Sequence, residues 1–362
     1  MDALYEKLCA GYTGRSCLVT GHTGFKGSWL TLVLQRLGAR VTGCALDPEH
    51  DLFDSLEFDD SLSDRRADLR DLGVVRQVVE DAQPELVFHL AAQSLVRRSY
   101  EQPKLTFDTN VGGTVNLLDV LRDMDSVRAV VVVTSDKVYE NREWIYGYRE
   151  LDDLGGHDPY SCSKTSMEMV ASAYRGFFSA RGVGLATARA GNVIGGGDWA
   201  PDAIVPDIAR ALRAGIPVEV RNPGATRPWQ HVLEPLSGYL CLAQSLLATY
   251  GDAAAVEAHA GPWNFGPEID SCVPVRELVE GLFAAYGAGE WLDRSARQES
   301  APYEAQLLSL SSEKARARLG WRPRWDLSQT LARTAVWYRR FAAGEPAREL
   351  CRQDIEAYWG SS

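Results

Sequence analysis

Tyr160 and Lys164 stand four residues apart in "DPYSCSKTSMEM". On a helix that spacing puts a phenol and an ammonium on one face. A free phenol, with a pKa of about 10, is a poor base at neutral pH. A lysine cation beside it favours the phenolate, which can then take a proton from a hydroxyl whose carbon is being oxidised. The spacing alone is common by chance, so its neighbours matter. In "VVVVTSDKVYE" an apolar run ends in Thr134, Ser135, Asp136 and Lys137 without a break. Parallel α/β sheets bind their ligands at the carboxyl ends of strands, where such groups would be delivered. Thr134 can equally be read as completing the strand's own hydrogen bonds.

A third group lies near the start. "VTGHTGFKGSWL" spaces Gly21, Gly24 and Gly27 as G-x-x-G-x-x-G between a strand and a helix. Glycines there let the backbone turn tightly and approach a pyrophosphate, which rests on helix N–H groups. The spacing differs by one residue from the G-x-G-x-x-G fingerprint. Asp47 follows Gly27 by 20 residues, at the end of the next strand. A carboxylate at that place accepts from a ribose 2′-OH and repels a 2′-phosphate, so NAD is expected over NADP. Alone, Asp47 reads as a solvated loop acid.

These groups need a frame. Strands are expected at Ser16–Thr20, Arg40–Leu46, Arg66–Leu69, Leu86–Ala92 and Arg128–Asp136, and a sixth in "GLATARAGNVIG". Helices are expected at Lys26–Leu37, Val74–Ala82, Lys104–Met124, Tyr160–Arg181, Ile204–Ala214, Leu233–Thr249 and Val275–Tyr286, with two short ones in the tail. Apolar strands alternating with helices imply an α/β class, a Rossmann-type doubly wound parallel sheet covered on both faces. A smaller C-terminal α/β lobe is expected over its carboxyl edge. The NAD-binding part is placed at residues 1–188, joined by part of 230–265, and the substrate lobe at 189–362.

Composition removes several classes. The 362 residues are 45% hydrophobic and 24% charged, an ordinary globular balance. A net charge of −11 argues against a general nucleic-acid surface. No apolar run approaches the ~20 residues of a membrane span, and the N-terminus lacks a signal peptide's apolar core. The seven cysteines are scattered, with no CxxC. Neither a disulfide framework nor a zinc site is favoured, no metal is expected, and a reduced cytoplasmic protein is. Cys162 reads as a small semi-buried residue.

At this point the chain resembles the extended short-chain dehydrogenase/reductase family over nearly its whole length. The resemblance rests on the glycine loop, Asp47, "HLAAQ" (His89–Gln93), Asn110 and the Tyr160/Lys164 pair. Within that family, "GHTGFKGSWL", "TSDK", "YENREW", "RAGNVIGGGDW", "NPGATRPWQHVLEP" and "WNFGP" resemble the CDP-glucose 4,6-dehydratases. The resemblance implies a tightly held, recycled NAD and a CDP-hexose substrate. It places the cofactor against Gly21, Thr23, Gly24, Phe25, Lys26 and Gly27. Further along it adds Asp47, Asp68 and Leu69, then Leu90, Ala91, Ala92 and Gln93, and finally Asn110, Thr134, Tyr160 and Lys164. It places the substrate against Gln93, Arg97, Ser135, Asn192, Arg227 and Trp229.

The resemblance also implies roles. Ser135 orients the sugar hydroxyl beside Tyr160, and Asp136 is the acid for the leaving C6 hydroxyl. Lys137 stands where many sugar-nucleotide dehydratases carry glutamate, the base at C5. Asp136 must be protonated to donate, and burial would raise its pKa. Lys137 either acts neutral as the base or stays charged and stabilises the C4 enolate. Asn192 and Arg227 hold the sugar diphosphate, Arg227 as a bidentate fork. Read without the resemblance, Asn192 is a turn residue and Arg227 a surface charge.

The tail departs from the family, with Tyr303, Ser309 and Ser311 in "YEAQLLSLSSEKA" where the pattern is nearer "HEA-x-x-LKLD". The connection Glu140–Pro159 reads as a wall of the sugar pocket, or as an aromatic satellite core or subunit contact. A homodimer or higher assembly through helices Lys104–Met124 and Tyr160–Arg181 is implied. An epimerase of the same family would keep Tyr160 and Lys164 without needing Asp136 and Lys137. A non-catalytic dinucleotide sensor could keep only the glycine loop.

Overall fold

The computed structural model describes residues 3–295 and 307–360. Its centre is a seven-stranded parallel sheet built from β1 (Ser16–Thr20), β2 (Arg40–Ala45), β3 (Leu62–Arg66), β4 (Leu86–His89), β5 (Ala129–Val133), β6 (Gly184–Ala190) and an edge strand, Gly261–Phe265. The spatial order is β3-β2-β1-β4-β5-β6 and then the edge strand. The order reverses between β1 and β4, which opens a crevice at their carboxyl ends.

The valines of β5 show how the sheet is held. Val131 and Val133 enter one core with Trp29, Leu30 and Leu236. Val130 and Val132 enter the other with Val75, Leu117 and Met167. Period-two alternation with apolar residues on both faces is what a strand between two helical layers requires. Helices Phe25–Arg36 and Leu233–Ala248 belong to the first face, and Leu72–Ala82, Gly113–Leu121 and Pro159–Ser179 to the second.

Several expectations shift. The third strand lies at Leu62–Arg66, ahead of the expected Arg66–Leu69, pairing Val41 with Leu62 through Ala45 with Arg66. It is an edge strand with only Leu62 buried, so "LSDRR" carries no apolar signal. The expected helix Lys104–Met124 is broken into Pro103–Phe107, a π-helical turn Asp108–Gly112, and Gly113–Leu121. The expectation did not include helix Ala3–Tyr12, the edge strand Gly261–Phe265 or helix Ala347–Trp359. Among the described residues the tail holds three helices rather than two, the longest Leu327–Ala342.

The last helix carries a titration. Asp354 is 6% exposed, and its Oδ1 lies 3.6 Å from Arg333 while Oδ2 has no hydrogen-bond partner. Burial, against the pull of Arg333, pushes its carboxyl up to about 7, whereas an unfolded aspartate titrates near ~4. Folding therefore takes up a proton there between those values. That contribution to stability is complete below about pH 4 and is lost as pH rises through 7. In scanning calorimetry from pH 5 to pH 8, Asp354 should contribute roughly 4 °C to a fall in Tm, beside the like contribution of Glu234, whose carboxyl burial also pushes up to about 7. Asp354→Asn should flatten the fall, and an equal fall in both proteins would contradict the assignment.

Candidate active site

The glycine turn follows β1 directly. Gly21 has φ +73°, and a Cβ on it would stand 2.7 Å from the Ala91 nitrogen. A Cβ on Gly27 would stand 2.0 Å from the Gly21 carbonyl oxygen. Both positions accept only glycine, because β1, the β4 loop and the helix start converge here. Gly24 caps helix Phe25–Arg36 with no side-chain hydrogen bond. The first N–H groups of the helix are thus unclaimed by any side-chain cap, as an anion site requires. The cradle fits a dinucleotide pyrophosphate.

At the end of β2, the Asp47 side chain is 92% exposed, and Thr23 donates to the Leu46 carbonyl. Arg66 reaches within 4.0 Å of Asp47, pairs with Asp64 at 2.8 Å and lies over the Phe53 ring. Asp68 is held by Arg70, and Leu69 is buried with its carbonyl bonded by Asn116. The backbone nitrogens of Leu90 and Ala91 both bond Thr20, and Ala92 continues that loop.

Two expected contacts are turned inward. The Gln93 amide donates to the Leu95 carbonyl and the Thr106 hydroxyl, and its oxygen accepts from the Leu95 nitrogen. It shapes the β4 loop and ties it to helix Pro103–Phe107. Asn110, in the π turn, accepts from the Gln93 nitrogen at 2.7 Å and donates to the Ser163 hydroxyl at 2.8 Å. The widened turn aims it between loop and helix, a common use of π-bulges near functional sites. Its side chain ties those elements together.

The catalytic candidates converge at the carboxyl end of β5. Thr134 still pairs through its nitrogen with the Ala188 carbonyl. Ser135 is extended and caps a 3-10 turn, Asp136–Val138, its Oγ accepting from the Lys137 nitrogen. The Ser135 hydroxyl also bonds Tyr160 and donates to Asp136 Oδ1 at 3.1 Å. Asp136 is 4% exposed, and its Oδ2 has no hydrogen-bond partner. Burial raises its carboxyl pKa, while the charges of Lys137, Arg227 and Lys26 and the Ser135 hydrogen bond pull it down. Lys137 is half-buried on the cavity wall.

Tyr160 sits in the first turn of helix Pro159–Ser179, which Asp158 caps through the Ser161 nitrogen. Burial pushes the phenol up to about 12 against the Ser135 hydrogen bond. Of the protein's own groups the Ser135 hydroxyl pulls it down, less than burial raises it, and Lys164 does not act on it directly. The reason is local. The Lys164 ammonium donates to the Val133 carbonyl, and burial beside Lys26 brings it down to about 7. Lys26 is itself brought down to about 8 by burial, opposed by Asp136 and Asp198.

Beside this edge lies a cavity of about 730 Å³. Arg97, Asn192, Arg227 and Trp229 line it, as does Arg221, which sequence reasoning missed. Arg97 and Arg221 share Asp202, at 3.4 and 2.9 Å. Arg227 is 5% exposed on a strand, Thr226–Pro228, paired antiparallel with Cys272–Pro274. Trp229 is buried and donates to the Val273 carbonyl. The Asn192 carbonyl accepts from the Gln230 nitrogen.

The ends of the connection before Tyr160 line the same cavity, through Asn141, Gly156, His157 and Asp158. Its aromatics Trp144 and Tyr148 do not; they stack with Tyr139 in a satellite core packed on Leu308 and Leu310, of which Tyr139 and Leu308 also line the cavity. Ser309 and Ser311 bracket Tyr148 by backbone hydrogen bonds, and Tyr303 lies outside the described residues. No helix among the described residues is long and apolar enough to cross a membrane.

Comparison with known proteins agrees with this geometry. A family model described as GDP-mannose 4,6 dehydratase matches residues 18–334. The CDP-glucose 4,6-dehydratase of Salmonella typhimurium is 45% identical, over 97% of this chain and 98% of that protein. The dTDP-glucose 4,6-dehydratase of Streptomyces antibioticus is 31% identical over 89% of this chain and 92% of its own. The crystal structure of Thermus thermophilus UDP-glucose 4-epimerase in complex with NAD superposes with a TM-score of 0.73 at 25% identity, over 89% of this chain and 98% of that one.

Proposed function

The chain belongs to the GDP-mannose 4,6-dehydratase family, and from that premise we propose that it removes water from CDP-glucose to give CDP-4-keto-6-deoxyglucose. NAD is the cofactor. The glycine turn at Gly21, Gly24 and Gly27 would hold its pyrophosphate, Asp47 a ribose and Lys164 the nicotinamide end. When bound it supplies hydride acceptance at C4 and hydride return at C6, so the reaction is redox-neutral.

The chain's residues move the protons. Tyr160 takes the proton of the C4 hydroxyl, which the Ser135 hydroxyl orients. The C4 ketone acidifies the C5 hydrogen. Lys137 removes that proton, holds the enolate charge as the ammonium so formed, and returns the proton to C5 once hydride has reached C6. Asp136 gives its proton to the C6 oxygen, which leaves as water. Arg227 and Asn192 hold the diphosphate, with Arg97 and Arg221 at the same cavity.

The observation that supports this most is Asp136 Oδ2, a buried carboxylate oxygen without a partner beside Lys137. An epimerase needs no such acid. Mass spectrometry after incubation with CDP-, dTDP-, UDP- and GDP-hexoses tests the reading. Loss of one water from CDP-glucose is expected. An isomer of unchanged mass would mean an epimerase, and no turnover a sensor.

The same reading gives the chain a dinucleotide-binding part, residues 1–188 with helix Leu233–Ala248 and strand Gly261–Phe265, and a sugar-nucleotide lobe from the rest. We also propose a cytoplasmic homodimer or higher assembly through the helical segments within 104–124 and helix Pro159–Ser179, on which Met169 and Phe177 stand exposed.

Asp47 should set the cofactor. Asp47→Asn should weaken NAD binding by about tenfold, the size of a lost charge-assisted hydrogen bond. NADP should gain, since Arg66 is already within reach of the position Asp47 guards. Titration calorimetry reads both, and equal affinity of the unaltered protein for the two cofactors would contradict the assignment.

A further inference from the structure

A buried ion pair lies behind the catalytic turn. Glu168 is one helical turn beyond Lys164, and Arg189 is on β6; they are 4% and 2% exposed. Arg189 grips the carboxylate with Nε and Nη2, each at 2.9 Å. The Thr134 hydroxyl donates to Glu168 Oε1 at 2.5 Å and the Thr187 hydroxyl to Oε2 at 2.6 Å. Arg189 Nη1 continues to the Tyr139 hydroxyl at 2.7 Å, which donates to Asn264 Oδ1 at 2.8 Å. Thr134 immediately precedes Ser135, and Tyr139 immediately follows Val138. The segment that carries Ser135, Asp136 and Lys137 is therefore held at its front and its back by the same two side chains.

We propose that the Glu168–Arg189 pair is a clamp that fixes both ends of the catalytic turn at a set position against the helix carrying Tyr160 and Lys164. Burying two charges is a poor way to gain stability, because desolvation offsets their attraction. It is a good way to specify one arrangement, since each carboxylate oxygen accepts one guanidinium and one hydroxyl hydrogen bond and leaves Glu168 little freedom. Burial raises the Glu168 carboxyl, but Arg189 and the two threonine hydroxyls outweigh it and keep the group ionised. Three elements meet here, the end of β5, the tyrosine helix and β6. Glu168 and Arg189 reach the reaction only through the residues they hold, so they are positioning residues. Misplacing reacting groups by ~1 Å can cost ~100-fold in rate.

This rests on the proposed dehydration, and the test keeps the two apart. Glu168→Ala would leave Arg189 buried and unpaired and would endanger folding, so the ends of the clamp are changed instead. Thr134→Val removes only the front hydrogen bond, Tyr139→Phe removes the back one together with the Tyr139–Asn264 bond, and Thr134→Ser keeps the hydroxyl. Steady-state kinetics with CDP-glucose should show kcat lower by about tenfold in Thr134→Val and in Tyr139→Phe with KM within about twofold. Thr134→Ser should recover most of the kcat that Thr134→Val loses. Hydrogen exchange of the amides from 135 to 138 should quicken in the first two variants and not in the third. That arm reads the clamp even if CDP-glucose is not the substrate. If Thr134→Val and Tyr139→Phe keep their amide protection, or keep kcat in a protein that dehydrates CDP-glucose, the clamp is overturned and the pair is only part of the core.

Discussion

Tyr160→Phe abolishes the first oxidation, lowering turnover of CDP-glucose by about 10³-fold, while the fold survives. The rate effect is of the size expected when a positioned proton acceptor is removed. The fold survives because the substitution deletes one oxygen and leaves the ring in place. That oxygen's hydrogen bond is to Ser135, which keeps Asp136 as a partner. Its loss costs about 1 kcal/mol of stability. The helix start is fixed independently by Asp158 and by the Tyr160 nitrogen on Ser99. Chemical-quench single turnovers with mass detection read the 4-keto intermediate directly. A mutant that forms it at the unaltered rate would remove Tyr160 from the reaction.

Lys137→Met separates oxidation from elimination. The mutant should still oxidise C4, since Ser135 and Tyr160 are untouched, but should eliminate water at least about 100-fold more slowly. The nucleotide of 4-keto-glucose, with C6 oxygen still attached, should therefore build up. Both possible roles of Lys137 give this result, because losing the base and losing the enolate's counter-charge raise the same barrier. The Lys137 side chain is half-buried on the cavity wall, and methionine fills a similar volume, so packing is conserved. Formation of the 6-deoxy product at an undiminished rate would show that Lys137 has no part in catalysis.

The sheet was legible where apolar residues had to satisfy two cores at once. "AVVVV" is such a case, and so are the glycine positions where three backbones converge. Edge elements were harder. β3 needs only Leu62 in the core, and Gly261–Phe265 joins β6 from 71 residues further along the chain. Of the proposed site, the polar run after β5 and the Tyr160/Lys164 helix were visible, because local spacing alone brings their groups to one edge. Side-chain bonds such as those of the Gln93 amide, to Leu95 and to the Thr106 hydroxyl, were not legible in the sequence, because they depend on the path of the loop. The Glu168–Arg189 pair carried no local signal, since its partners come from four separate stretches. Arg221 carried no signal in the sequence, since only the fold brings Asp202 and Arg97 beside it.

The most direct measurement of the central claim is one turnover of CDP-glucose deuterated at C4, with the product read by mass spectrometry and NMR. A redox-neutral dehydration predicts a product lighter by one water, carrying the deuterium at C6 of the same molecule that lost it from C4. A product of unchanged mass with inverted C4, or a dehydrated product whose C6 hydrogen comes from solvent, would contradict it.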